Sequence, residues 1–156
     1  MRSAELGQNF LRSQRTARRL VYLAGGAASY LCVDLGAGRG IITSAALRRE
    51  GPVIAIESDP RLAARLRSTY ADEPRVEVVE QDLMTAALPS EPFVIAANPP
   101  FNLSTQLVRR WLLAPHFVSG ALIVERPFGQ RVAGGFGTTK LSLSLAPFLA
   151  FDTPAI

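Results

Sequence analysis

Asn98-Pro99-Pro100-Phe101 can do chemistry on a planar amine. The Asn98 side-chain carbonyl and the Pro99 backbone carbonyl are two acceptors for the two hydrogens of an exocyclic NH2. Phe101 offers a flat apolar surface to the ring that carries the amine. Pro-Pro by itself also makes a stiff loop between a strand and a helix, so the motif needs company. Three other positions supply it. Gly36-Ala-Gly38-Arg-Gly40 is a loop whose backbone can approach a ligand closely. Glu57 can take both hydroxyls of a ribose in bidentate fashion. Asp82 can accept a hydrogen bond from an adenine amine.

The elements around these residues would bring them to one place. Largely apolar runs predict strands at Tyr30–Leu35, Val53–Ile56, Val76–Val79, Phe93–Ala97 and Ala121–Val124, the first, second and fourth of them buried. Helical patterns intervene at Thr16–Ala24, Ile41–Glu50 and Pro60–Tyr70, the last with Asp59 as its cap and proline in its first position. After the Asn98 loop, Leu103, Leu107, Val108, Trp111 and Leu112 share a helix face, with Ser104 or Asn102 as cap. Arg109 and Arg110 then point off that face. A last helix is expected from Thr139 to about Leu149, and a sixth strand near Phe151. Alternating strands and helices imply an α/β fold with a mostly parallel, doubly wound sheet. Each chemistry-bearing residue follows a strand, so all lie at the carboxyl edge, where ligands of such sheets bind.

That edge admits two ligand classes. Glu57 suits the ribose of a nicotinamide dinucleotide as well as that of S-adenosylmethionine (SAM). A dinucleotide fingerprint, however, needs a glycine where Ile41 stands; the third glycine comes one residue early, at Gly40. No phosphate-binding lysine or hydride-transfer residue stands nearby. The only histidine, His116, follows Ala114-Pro115 at a helix exit and reads as structural; Cys32 and Trp111 read as core. No metal cluster is formed, and no Ser-His-Asp set can be assembled.

With 156 residues, 48% of them hydrophobic and 19% charged, the chain fits one domain with a full core. There is no run of 18 apolar residues, no signal-peptide core and no pair of cysteines, which together suggest a cytoplasmic protein. The net charge of +4 is unevenly spread. Residues 1–49 carry eight arginines against Glu5 and Asp34, and only Lys140 among the 17 cations is a lysine. Arginine's planar fork suits phosphate, so the basic ends favour a polyanionic partner.

In order and spacing, Gly7-Gln-Asn-Phe-Leu11, Asp34-Leu-Gly-Ala-Gly38, Glu57, Gln81-Asp82 and Asn98-Pro-Pro-Phe101 resemble the rRNA adenine N6-methyltransferases. Leu122-Ile-Val-Glu-Arg126 and Phe128-Gly-Gln-Arg131 look more like the erythromycin-resistance (Erm) branch than the branch that matures small-subunit rRNA. The resemblance implies a Rossmann-like SAM-dependent methyltransferase fold over residues 1–156, with 1–13 as an N-terminal arm. It implies an enzyme that methylates an adenine N6 in 23S rRNA and so confers macrolide-lincosamide-streptogramin resistance, working as a cytoplasmic monomer. Matched by position, Asn9, Leu11, Gly36, Gly38, Glu57, Asp82 and Asn98 would hold SAM, and Asn98, Pro99 and Phe101 the target adenine. Arg12, Arg15, Arg18 and Arg19 would meet RNA phosphates. Two departures stand out. The family usually has Ile or Leu where this chain has Pro99, and Asn-Pro-Pro-aromatic is more familiar in DNA amino-methyltransferases. Members also continue into further strands and a helical, RNA-holding domain, which is expected to be absent from this chain. The other readings are a methyltransferase of small-subunit rRNA or DNA, a nicotinamide-dependent oxidoreductase, and an RNA-binding module without transfer activity.

Overall fold

The computed structural model describes residues 11–132. They fall into two compact units, divided between Ile123 and Val124. In the first, five strands form one sheet in the order β3-β2-β1-β4-β5: β1 Leu31–Leu35, β2 Val53–Ile56, β3 Val76–Val79, β4 Phe93–Ala97 and β5 Phe117–Leu122. All four pairings are parallel. β1 and β4 are buried along their whole length, as strands covered on both faces are; β4 is apolar throughout, and β1 is apolar but for Asp34.

Side-chain alternation divides the core. Cys32, Val53, Val94 and Ala96 face the helices α1 (Gln14–Leu23) and α2 (Ile41–Ala46), packing against Ala17, Leu20, Val21, Ile42 and Ala45. Ala55 packs with Leu66 of α3 (Pro60–Thr69). From the other face of β4, Phe93 meets the Trp111 ring edge-on, with centroids 6.3 Å apart at 87°. Trp111 is fully buried, and an aromatic of that size dominates the packing of its layer. The expected doubly wound, Rossmann-like architecture is therefore present. Cys32 is core as expected, and burial pushes its thiol up to about 12.

Local chemistry fixes the helix starts. Ser13 caps α1 by accepting from the Thr16 amide at 3.2 Å. Asp59 caps α3 through the Arg61 and Leu62 amides at 2.8 and 3.3 Å. α2 is shorter than its pattern predicts, ending at Ala46 rather than Glu50. The amides of Glu50 and Gly51 bond instead to the Ala28 carbonyl. Arg49 donates to the carbonyls of Gly25 and Ala27, drawing the chain onto the loop that enters β1.

Two further expectations are corrected. β5 begins at Phe117, not Ala121, and ends at Leu122, before Val124. The helix after β4 is not one regular helix. It is a 3₁₀ turn at Phe101–Leu103, a short α-helix α4 (Ser104–Leu107) and a π turn at Val108–Leu112. Neither Asn102 nor Ser104 caps it; the Ser104 hydroxyl donates backward to the Phe101 carbonyl at 2.8 Å. In the second unit, helix α5 (Arg126–Val132) occupies a stretch for which no helix was expected, and the Arg131 guanidinium lies 5.9 Å from the Phe128 ring centre. The expected helix at 139–149 and the strand near 151 lie outside the described residues.

Candidate active site

The loop after β1 is held from within. Gly36, Gly38 and Gly40 all have positive φ, at 76°, 57° and 81°, a region that glycine enters without steric cost. The Gly36 and Ala37 amides both donate to the Ile56 carbonyl, at 2.9 and 3.0 Å, and the Gly40 amide to Ala37 at 2.8 Å. The Gly38 amide donates to Glu57 Oε2 at 2.7 Å. Glu57 is buried at the end of β2 and also accepts from the Asp59 amide, at 2.8 Å through Oε1. A carboxylate has about four lone-pair sites, so Glu57 keeps acceptor capacity for hydroxyl donors.

With four of its amides engaged inside the protein, this loop is not a phosphate cradle, which needs N–H groups aimed at the ligand. It is a rigid, close-approach surface beside an acid. That donor set suits a ligand bearing hydroxyls and amines, and it weighs against the dinucleotide alternative.

Beneath the loop sits Asp34, fully buried. Its Oδ2 accepts from the Thr43 hydroxyl at 2.7 Å, while Oδ1 has no partner. Burial raises its carboxyl to about 7, against the opposing pull of the Thr43 hydrogen bonds and with a small push from Glu57.

Asp82 lies in the exposed turn after β3. Its Oδ1 accepts from the Met84 amide at 2.7 Å, and its carbonyl accepts from the Thr85 and Ala86 amides. The turn is thus self-braced, and Asp82 presents a carboxylate at its start. Asn98 and Phe101 are half-buried and Pro99 is buried. The Pro100 carbonyl accepts from the Leu103 amide at 3.1 Å.

These segments converge at Gly36. A Cβ built there would stand 3.4 Å from Pro100 Cδ, 3.8 Å from Pro99 Cα and 3.9 Å from Leu83 Cδ1. The glycine loop, the Asn98–Phe101 turn and the Asp82 turn therefore come together around one backbone position, so closely that a single added methyl group would reach Pro99, Pro100 and Leu83. Gly36, Gly38, Glu57, Asp82, Asn98, Pro99 and Phe101, singled out from sequence, all lie on segments at this edge. Leu11 packs against the α1–α2 core cluster, and Asn9 lies outside the described residues. Arg12, Arg15, Arg18 and Arg19 are exposed, as surface contacts must be. At 100° per residue, Arg15, Arg18, Arg19 and Tyr22 of α1 fall within about 100° of one another, and Tyr22 is 83% exposed.

Sequence reasoning missed Arg110. It points off the apolar face as expected, but its Nη2 donates to the Ala86 carbonyl at 2.5 Å. Its neighbour Trp111 donates from Nε1 to the Leu83 carbonyl at 3.0 Å. Arginine side by side with a core tryptophan is the only sequence signal, and it does not reveal where the guanidinium goes. Among the described residues no group of His, Cys, Asp and Glu can hold a metal ion, and no helix is long and apolar enough to cross a membrane.

The chain is similar to known proteins over most of its length. A family model described as ribosomal RNA adenine dimethylase matches residues 2–156. The chain is 37% identical over 143 residues to an rRNA adenine N-6-methyltransferase of Aeromicrobium erythreum, covering 91% of this chain and 42% of that one. It is 38% identical over 140 residues to a ribosomal RNA small subunit methyltransferase A of Leifsonia xyli subsp. xyli, covering 85% and 50%. Among solved structures, the 23S rRNA methyltransferase ErmE superposes with a TM-score of 0.82 at 30% identity, over 89% of this chain and 57% of that one. The chain spans about half the length of the curated relatives it matches.

Proposed function

Because the chain belongs to the ribosomal RNA adenine dimethylase family, we propose that it transfers a methyl group from SAM to the exocyclic N6 of an adenine in 23S rRNA. The observation that carries this is the close approach at Gly36. The loop that would lie under the cofactor comes so near the turn that would hold the amine that a Cβ at Gly36 would meet Pro99 and Pro100. Donor and acceptor subsites thus share a wall, as direct transfer between two bound molecules demands.

The residues present fit SAM. A glycine loop with its amides engaged internally, the buried acid Glu57 and the acid Asp82 suit a ligand with ribose hydroxyls and an adenine amine and without phosphate. SAM, when bound, supplies an electrophilic methyl group on a good leaving group. Glu57 holds the ribose, Asp82 the adenine amine, and Gly36 and Gly38 allow close backbone approach. Asn9, Leu11 and Asn98 complete the cofactor contacts. The chain's own residues then act on the nucleophile. Asn98 and the Pro99 carbonyl accept the two amine hydrogens, turning the nitrogen lone pair toward the methyl donor. Two acceptors also favour a more pyramidal, less conjugated nitrogen. Phe101 stacks on the target base, which must leave its own stack to enter. No strong base is required, since the amine proton becomes acidic as positive charge builds. Positioning and electrostatic preorganisation supply much of the rate.

The exposed arginine stripe of α1, with Arg12 just before it, meets RNA phosphates, and Tyr22 in the same stripe gives an exposed aromatic surface among them. The ErmE likeness favours large-subunit RNA. The proposal includes the consequences of that choice: resistance to macrolides, lincosamides and streptogramins, and a cytoplasmic monomer acting as the SAM-binding catalytic domain. A comparable identity to a small-subunit enzyme makes 16S rRNA the second reading.

The test is methyl transfer from labelled SAM to protein-free 23S rRNA, with 16S rRNA and DNA in parallel, followed by digestion to nucleosides. N6-methylated adenine in 23S rRNA alone is the expected result. Label in 16S rRNA alone moves the protein to the other branch, and label in DNA alone ends the RNA reading. Replacing Arg12, Arg15, Arg18 and Arg19 should flatten the salt dependence of RNA binding by about one logarithmic unit per lost phosphate contact.

A further inference from the structure

The two halves of the proposed site come from separate stretches of chain. Asp82 follows β3, and Asn98–Phe101 follows β4. Two consecutive side chains of the π turn bridge them. Trp111 Nε1–H donates to the Leu83 carbonyl at 3.0 Å, in a buried bond. Arg110 Nη2–H donates to the Ala86 carbonyl at 2.5 Å. Leu83 is the residue next to Asp82, and Ala86 closes the turn by donating its amide to the Asp82 carbonyl at 2.9 Å. Both ends of the 82–86 turn are therefore held by one turn of helix, and that helix leads directly back to Phe101 and Asn98. Leu83 is itself buried and is the residue of this turn that lies nearest Gly36, 3.9 Å from where a Cβ there would stand.

The details suggest placement rather than optimal packing. Regular α-helix aims successive side chains about 100° apart. The π turn is a local widening of the kind often found at functional sites, and here neighbouring residues both serve the same five-residue turn. Arg110 Nε is buried without a partner, which costs free energy and is tolerated along with the Ala86 bond. Phe93 fixes the Trp111 ring from the sheet side, so the indole N–H has little freedom to look elsewhere.

We propose that Arg110 and Trp111 are positioning residues that set the Asp82 turn against the target-base turn, so that cofactor affinity depends on a helix that belongs to the acceptor side. The inference rests on the reading that Asp82 holds the adenine of SAM. It extends that reading by making the two subsites mechanically one.

Trp111 is the only tryptophan in the chain, so its emission reports on this contact directly. The experiment is titration of the full chain with SAM and with S-adenosylhomocysteine, followed by Trp111 fluorescence and by calorimetry. The variants are Trp111→Phe, which keeps a ring and loses the donor, Arg110→Met, which loses the guanidinium, and Arg110→Lys, which restores a donor. Thermal unfolding confirms that each is folded; Arg110 is only half-buried, so its variants stay available if Trp111→Phe does not fold.

Wild-type emission should change saturably, with the calorimetric Kd. Trp111→Phe and Arg110→Met should each raise the Kd for SAM about 5–20-fold, the size of a lost buried hydrogen bond, and Arg110→Lys should recover part of it. The KM for SAM should rise in step, with kcat at saturating SAM within about twofold of wild type. Folded variants that lose melting temperature yet bind SAM within twofold of wild type would show a purely structural role and overturn the proposal. If the wild type binds and its emission is silent, the proposal is overturned as well. If the wild type binds no SAM, the cofactor reading itself falls and the clamp with it.

Discussion

The two ends of the sheet's carboxyl edge are built by opposite means. On the β1–β2 side, backbone serves backbone. Gly36 and Ala37 bond to Ile56, Gly40 to Ala37, and Glu57 gathers the Gly38 and Asp59 amides. On the β4 side, helical geometry changes twice in twelve residues, from 3₁₀ to α to π, and side chains from that segment reach out to distant carbonyls. The first side is a rigid bed, where substitutions should act mainly on stability. The second is an arm built from side chains, where substitutions should act mainly on ligand binding and transfer. That division is open to test at four positions.

Asn98→Ala should have the largest effect. Transfer to 23S rRNA should fall by at least about 100-fold, comparable to losing one oxyanion-hole donor, while the Kd for SAM by calorimetry stays within about threefold. Equal loss of both would place Asn98 on the bed rather than the arm. Asp34→Asn probes the bed through pH. A carboxyl whose folded value is raised to about 7 contributes stability that is fully present below about pH 4 and is lost as pH rises through 7, because the folded state holds the extra proton in that window. The amide has no proton to lose. Urea unfolding should therefore show the variant gaining on wild type between about pH 4 and 8, by up to about 4 kcal/mol; a pH-independent difference would mean that Asp34 does not titrate in that window.

Gly40→Ala should cost about 2–3 kcal/mol of stability by combining a left-handed backbone with overpacking. Its φ is +81°, and the new methyl would stand 2.7 Å from Leu66 Cδ2 and 3.2 Å from the Tyr70 hydroxyl. Transfer per folded molecule should change little, which a denaturation curve and an activity assay on one sample can decide. The smallest effect expected is that of Phe101→Ala, about 1–3 kcal/mol of lost base stacking. It should appear in kcat/KM for RNA, with melting temperature nearly unchanged; unaltered RNA kinetics would remove Phe101 from the acceptor site.

The same division explains what could be read from the sequence. Unbroken apolar strands, Asp59 as a cap and glycines after β1 are local signals, and the structure follows them to within a residue or two. The acids and the Asn98 turn were legible because each stands where a strand ends. The failures share one cause, a partner far away in sequence. The fifth strand was read as starting only at Ala121, where the apolar run begins. In the structure Ser119 donates to the Ala24 carbonyl at 2.6 Å, and a Cβ at Gly120 would lie 3.0 Å from the Ile95 carbonyl, so glycine is what lets β5 pair early. α2 was read too long because nothing local announces that Ala28 will take the Glu50 and Gly51 amides. Arg110 was read only as pointing off the apolar face, and its carbonyl partner was missed because it lies 24 residues back.

Arginine's near-monopoly over lysine in this chain also has a consequence for how the gene can change. Arg49 spans the carbonyls of Gly25 and Ala27, and Arg75 those of Leu47 and Arg49 together with the Glu73 carboxylate. Each uses the breadth of the guanidinium to serve several acceptors at once, which a single ammonium on a flexible stem cannot copy. A lineage drifting toward lysine codons would keep its formal charge at every step and still lose the turns that frame the sheet. The tolerant positions would be the exposed arginines of α1, where a point charge suffices. Substitution between the two basic residues should thus sort this surface into arginines that answer to the protein's own backbone and arginines free to answer to another molecule.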